Sequence, residues 1–296
     1  MKLAFALDCD CRFRTLSLFL LGFLLAGTSA GWGQESQEKV AVQYPLDLDL
    51  AADGTVVVVD LNLPGLWRVP VEGGEPQLVY RGSKRLREKM NRPRCCTVLD
   101  DGTILVGDSA TREVYRIRGD GQGEPQGLTS GGIGIPNSLA VGTDGTLFVA
   151  DLETRFVLRL PVAGGEPEVF SKTSVRGLHF AENGGLFAVT PTSQPLVTLS
   201  DKGEPTGVVR ERVFEFPHDV VALEDGSALV SDGYAKAIWR VDAERGTVEK
   251  WLSGTPLMNP VGLALGDGFV CIADPHAKQV FRVDLVTREI KELLSP

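Results

Sequence analysis

The chain has few of the signatures that mark a specific enzyme. It contains no Gly-rich phosphate loop, no nucleophile elbow and no paired-cysteine metal motif. Cations are in the minority, with 30 Lys and Arg against 39 Asp and Glu. An acidic body of this kind lacks the broad basic footprint that nucleic acid requires, so nucleic-acid binding is not expected. Only one long apolar run occurs, Leu16 to Ala26, and no second candidate membrane span follows it. Five cysteines and three histidines leave little material for a disulfide framework or a histidine-rich metal centre.

The one apolar run is preceded by Arg12 and Arg14 and followed by Gly27-Thr28-Ser29-Ala30. A basic flank, a short apolar core and small residues at its end read as a secretory signal cut after Ala30. The rival reading is an uncleaved anchor, because low polarity continues through Trp32 toward spanning length. On the first reading, residues 1–30 are the signal, 31–44 a linker or edge segment, and 45–296 a monomeric domain outside the cytoplasm, secreted or periplasmic. Loss of the signal leaves 27 basic against 37 acidic side chains and the cysteines Cys95, Cys96 and Cys271. An odd count cannot be fully paired. Cys96 and Cys271 fall at apolar strand positions, and a vicinal Cys95–Cys96 bridge or a reactive thiol stays open.

What the chain does contain is repetition. Turns at Asp53-Gly54, Asp101-Gly102, Asp144-Gly145, Asn183-Gly184, Asp225-Gly226 and Asp267-Gly268 are followed seven residues later by Asp60, Asp108, Asp151, Thr190, Asp232 and Asp274. Eight residues beyond those come Arg68, Arg116, Arg159, Thr198, Arg240 and Arg282. A period of roughly 40 to 45 residues built from short strands predicts a β-propeller, one four-stranded blade per repeat. The fold class is therefore all-β, a six-bladed propeller with blades starting near 45, 93, 136, 175, 217 and 260. Asp-Gly favours the hairpin turn, and apolar runs without clean alternation suit sheets packed on both faces. The last repeat supplies four strands of its own, so residues 39–42 are expected only to pad an edge. The strand-end Asp and the Arg eight residues later are expected to pair across antiparallel strands, because the fourth repeat has lost both together, carrying Thr190 and Thr198.

Segments such as PNSLAVGTDGTLFVADLETRFVLRL (Pro136 to Leu160) and NPVGLALGDGFVCIADPHAKQVFRV (Asn259 to Val283) resemble NHL repeats. The wider resemblance, from about Pro45 to the C-terminus, is to six-bladed propellers of the SMP-30/gluconolactonase-like group. That group includes calcium-dependent lactonases, lyases, extracellular sensors and protein-binding scaffolds, so the resemblance implies architecture before activity.

In such a fold the residues after each repeat's opening Pro should line the channel mouth. Reading round the ring gives Leu46 and Asp47, Arg94 and Cys95, Asn137 and Ser138, Arg176 and Gly177, His218 and Asp219, Val261 and Gly262. Two chemistries compete there. Arg94 and Arg176, with Asn137, His218 and Asp219 beside them, suit a small anionic ligand or peptide, and the basic loop Lys84, Arg85, Arg87, Lys89, Arg92 could steer it. The lactonase resemblance instead implies Ca2+ held by Asn137, with Gln43 where a Glu is the rule and His218 where an Asp is the rule, Asp219 being displaced by one. Gln43, Asp47, Asn137 and Asp219 would then supply oxygens, and the activity would be metal-dependent lactone hydrolysis. A histidine zinc site, as in some lyases of this fold, is not expected, because His179 lies about 10 Å deeper along its strand than His218.

Overall fold

The computed structural model describes residues 40–181 and 184–296. The leader with Cys9 and Cys11, most of the linker up to residue 39, and Asn183 of the fourth turn lie outside the described residues.

Six four-stranded antiparallel sheets follow one another in chain order, and no helix occurs among the described residues. Blade one is β1 (Pro45–Leu50), β2 (Thr55–Asp60), β3 (Gly65–Pro70) and β4 (Gln77–Arg81). Blade two is β5 (Pro93–Val98), β6 (Ile104–Asp108), β7 (Glu113–Ile117) and β8 (Gln126–Gly127). Blade three is β9 (Pro136–Val141), β10 (Thr146–Asp151), β11 (Phe156–Pro161) and β12 (Glu168–Ser171). Blade four is β13 (Gly177–Phe180), β14 (Leu186–Val189), β15 (Leu196–Leu199) and β16 (Pro205–Val209). Blade five is β17 (Pro217–Ala222), β18 (Ser227–Asp232), β19 (Ala237–Asp242) and β20 (Thr247–Ser253). Blade six is β21 (Leu263–Gly266), β22 (Phe269–Asp274), β23 (Gln279–Asp284) and β24 (Ile290–Leu294).

The first strand of every blade touches the first strands of both neighbours, and β21 against β1 closes the ring around a central channel. Among the described residues, blade six uses no N-terminal strand. Val42 instead packs with Trp67 of blade one and Leu294 of blade six, covering the seam. The core lies between blades, which is why the strands are apolar on both faces. Along β2, Val56 and Val58 pack toward blade six while Val57 and Val59 pack toward blade two.

Each hairpin joining the first two strands turns through a left-handed glycine, with φ of 77° at Gly54 and 81° at Gly226. In blades one, two, three and five the preceding Asp accepts the backbone N–H two residues on, as Asp225 does from Ser227 at 2.9 Å.

The strand-end Asp does not pair with the Arg eight residues later. Asp60 sits opposite Gly65, and Arg68 opposite Val57, three positions away along the ladder. Asp60 instead accepts the N–H groups of Gln43 (2.7 Å) and Tyr44 (3.0 Å), which lead into β1, and those of Asn62 and Leu63 in the following loop. Asp108, Asp151, Asp232 and Asp274 do the same in their blades, each fully buried. A buried carboxylate is held by donors of this kind, and the chain entering the blade has donors to spare. The arginines turn to the opposite end, where Arg68 meets Asp53 at 2.7 Å and Arg240 meets Asp225.

The two residues should therefore act independently. Asp232→Ala strands the donors of Glu215, Phe216 and Ala235 and is expected to cost about 2 to 4 kcal/mol, against about 0 to 1 kcal/mol for Arg240→Ala at its half-exposed ion pair. Denaturant unfolding of the two single variants and the double should give additive losses, with coupling below about 0.5 kcal/mol; strong coupling would restore the pairing read from the sequence.

Candidate functional site

The Asp-held turns set the start of each innermost strand, and the first residues of those strands converge. Leu46, Asp47, Arg94, Asn137, Ser138, Arg176, His218, Asp219, Val261 and Gly262 line one cavity of about 80 Å3 at the channel mouth. Side chains link it from blade to blade. Arg94 donates through Nη2 to Asn137 Oδ1 (2.9 Å), Asn137 Nδ2 to the Arg176 carbonyl (2.8 Å), and Arg176 Nη1 to the Pro217 carbonyl (3.2 Å). Neither guanidinium has an acidic partner among the described residues, and Arg94 Nε is buried without any hydrogen bond. His218, on blade five beside Arg176, is kept neutral: burial first, then Arg176, lowers its pKa to about 4.

One residue further along each strand lies a constriction with alternating chemistry. Blades one, three and five place Asp47, Ser138 and Asp219 there, and blades two, four and six place Cys95, Gly177 and Gly262. Each polar side chain accepts a backbone N–H from the next blade: Asp47 from Cys96 (2.9 Å), Ser138 from Leu178 (3.0 Å) and Asp219 from Leu263 (3.0 Å). The glycines leave the room. A Cβ at Gly177 would lie 2.7 Å from Asp219 Oδ1, and one at Gly262 would lie 2.9 Å from Asp47 Oδ1. Burial and the nearby Asp219 push the Asp47 carboxyl well above the usual range, and burial raises that of Asp219 to about 7. Both carboxyls are thus held toward their neutral form. Below the constriction the channel opens into a chamber of about 590 Å3 lined by Asp49, Asp100, Asp101 and His179 among others.

Some candidates do not join the mouth. Gln43 is exposed, uses its backbone N–H on Asp60, and is not among the lining residues. His179 lines the lower chamber and His276 is exposed, so the three histidines do not meet. Cys95 points between blades two and three and Cys96 between blades one and two, which separates their thiols; both are free and buried, as is Cys271. The basic loop is pinned by the fully buried Met90, and its Lys89 reaches the Pro125 carbonyl. Arg85, in the same loop, lies 3.6 Å from Glu88.

The donor set fits calcium poorly. The oxygen of Asn137 is occupied by a guanidinium, Asp47 and Asp219 each bond a backbone N–H, and two cations stand beside them. No group of three or more His, Cys, Asp or Glu among the described residues could hold a metal ion.

Three residues of the site escaped the sequence reading. Phe216, just before the blade-five Pro, carries the Arg176 guanidinium 3.8 Å over its ring. Tyr234 stacks on Phe216 at 4.7 Å and 19°, with 67% of its surface exposed. Asn259 is buried beside His218, and both crowd Gly233, where a Cβ would meet Asn259 Oδ1 at 2.2 Å and His218 Nε2 at 3.0 Å.

No family model matches the chain. A peptidyl-glycine alpha-amidating monooxygenase from Mus musculus is 24% identical over 253 residues, covering 73% of this chain and 26% of that protein. The counterpart from Xenopus laevis is 26% identical over 242 residues, covering 70% of this chain and 27% of that protein. The chain thus spans about a quarter of the length of these curated relatives. Among solved structures, a gluconolactonase from Xanthomonas campestris superposes with a TM-score of 0.67 at 14% identity, covering 85% of this chain and 87% of that one. The chain is a six-bladed propeller, an architecture it shares with solved gluconolactonase structures. Identity this low carries the fold alone. No helix among the described residues is long and apolar enough to cross a membrane.

The buried titrating groups give a pH signature. Asp219 holds its proton to about pH 7 in the fold and loses it near the ordinary 3.8 when unfolded. Its contribution is present at low pH and is lost as pH rises through about 7. His179 and His218, lowered to about 4 from 6.5, act in reverse, and their contribution is lost as pH falls from 6.5 toward 4. Asp219→Asn should raise stability by about 1 to 3 kcal/mol more near pH 8.5 than near pH 5. Thermal unfolding across that range checks this; a pH-independent effect of the substitution would contradict it.

Proposed function

We propose that this propeller is an exported binding protein whose channel mouth receives the carboxylate of a small molecule or a peptide terminus. The observation that carries the reading is the pair Arg94 and Arg176, two partly buried guanidiniums without acidic partners among the described residues, one with a buried Nε lacking any acceptor. An arginine that has been desolvated and left uncompensated is costly, and a planar anion supplies what it lacks. Charge in the layer below favours the same ligand, since protons held by Asp47 and Asp219 reduce the repulsion an anion meets.

Size restricts what enters. A cavity of about 80 Å3 is well below the roughly 300 to 1,000 Å3 that encloses a whole drug-sized ligand. It admits a carboxylate and leaves the rest of the ligand on the outer face. A peptide terminus suits this geometry, and the relatives matched at 24 to 26% identity are named for a peptidyl-glycine. Export rests on the basic flank and apolar core of residues 12–30.

Titration calorimetry of the chain with N-acetylglycine should give saturable binding that weakens by about tenfold or more on Arg94→Ala or Arg176→Ala, more steeply at low salt. The competing reading is a calcium-dependent lactonase. It predicts stabilisation by calcium, about 2.7 kcal/mol at a hundredfold excess over Kd, together with lactone turnover, and that pair of results would replace the carboxylate reading.

A further inference from the structure

We propose that Tyr234 and Phe216 form a specificity wall that selects peptides carrying an aromatic or bulky apolar side chain two to three residues before the C-terminal carboxylate. The proposal rests on the carboxylate reading of the mouth and adds the identity of the group that stays outside it.

The two rings and a mouth arginine make one column. Arg176 lies 3.8 Å over one ring contact of Phe216, and Tyr234 stacks on Phe216 at 4.7 Å with an interplanar angle of 19°. His218 meets the same Phe216 ring edge to face at 4.9 Å. The Tyr234 phenol is close enough to bear on the charge of Arg176. The column therefore starts inside the carboxylate cavity and ends at a tyrosine with 67% of its surface open to solvent.

Geometry sets the spacing. The two contacts on Phe216 put the Tyr234 ring within about 8.5 Å of the Arg176 guanidinium, and an extended chain advances about 3.3 to 3.6 Å per residue. A chain held by its terminal carboxylate passes that ring two to three residues earlier. Chemistry sets the side chain: offset stacking on Tyr favours an aromatic partner, with aliphatic groups next. Tyr234 stands in the loop between β18 and β19 with 67% of its surface exposed, so its side chain adds little to the core. Free inorganic anions would use the arginines and leave the column idle.

The test uses the full chain and a set of acetylated tripeptides and tetrapeptides with a free C-terminus, placing Phe or Ala two or three residues from the end, with C-terminally amidated copies. The wild type should prefer Phe by about three- to tenfold. Tyr234→Ala should abolish that preference without lowering Tm, and Tyr234→Phe should keep it. Binding of all free-carboxylate peptides with equal affinity would overturn the wall and leave the carboxylate reading standing. Equal binding of amidated and free peptides, or no binding by any of them, would overturn both. A Phe preference that survives Tyr234→Ala would also overturn the assignment of the wall to Tyr234.

Discussion

A carboxylate with no solvent must find donors, and in this chain the donors it finds are the backbone N–H groups of the residues about to enter the innermost strand. Asp60, Asp108, Asp151, Asp232 and Asp274 each take that role, fully buried at the end of the second strand of a blade. The bond fixes where the entering chain turns downward, and so fixes which residues stand at the mouth. Blade four lacks it. There Thr190 bonds within its own loop to the Gln194 carbonyl, and the Arg176 N–H goes to the Val189 carbonyl at 2.8 Å. The blade that gives up the Asp is the one that supplies Arg176 to the cavity.

The architecture was legible in the sequence because its causes are local and repeat: turns that need a left-handed glycine, apolar runs buried on both faces, and a fixed interval between them. The residues gathered at the mouth follow from the same period, since equivalent positions in a closed ring must be neighbours. The partner of the repeated Arg was not legible. Joint loss of Asp and Arg in the fourth repeat is real, but the arginine's partner in blades one and five is the turn Asp, as in Asp53 with Arg68 and Asp225 with Arg240. The fourth turn carries Asn183 in that place and Thr198 in place of the Arg. Two correlated losses stood in one repeat, and the interval of eight pointed to the wrong one. Gln43 was misplaced for a different reason. A motif position specifies the backbone, and here the backbone of Gln43 is spent on Asp60 while its side chain faces solvent.

Charge changes sign along the channel. Arginines stand at the mouth, Asp47 and Asp219 with raised pKa values at the constriction, and carboxylates without Lys or Arg in the lower chamber. Such an arrangement is held by geometry at two glycines. At Gly177 and Gly262 any larger side chain would contact the backbone and carboxyl of the Asp next to it, so blades four and six give up a side chain to let blades five and one place an acid. Burial then does the rest. An acid whose burial outweighs the backbone N–H groups it accepts keeps its proton nearer neutrality, so the constriction does not cancel the positive mouth above it.

The aromatic column explains why a small cavity need not mean a small ligand. Arg176 cannot be both free and ordered without something to rest on, and Phe216 supplies that support through its ring face. Tyr234 stacks on the same Phe216 ring and stays two-thirds exposed. An apolar ring stacked outward at the edge of a cationic cavity offers a second contact at a fixed distance from the first. A ligand with a carboxylate alone gains only the arginines; one that reaches both gains from a surface already ordered before it arrives, and loses less conformational freedom per contact formed. On the proposed reading the discrimination resides in the spacing between charge and ring, which is set by Phe216, in contact with both Arg176 and Tyr234.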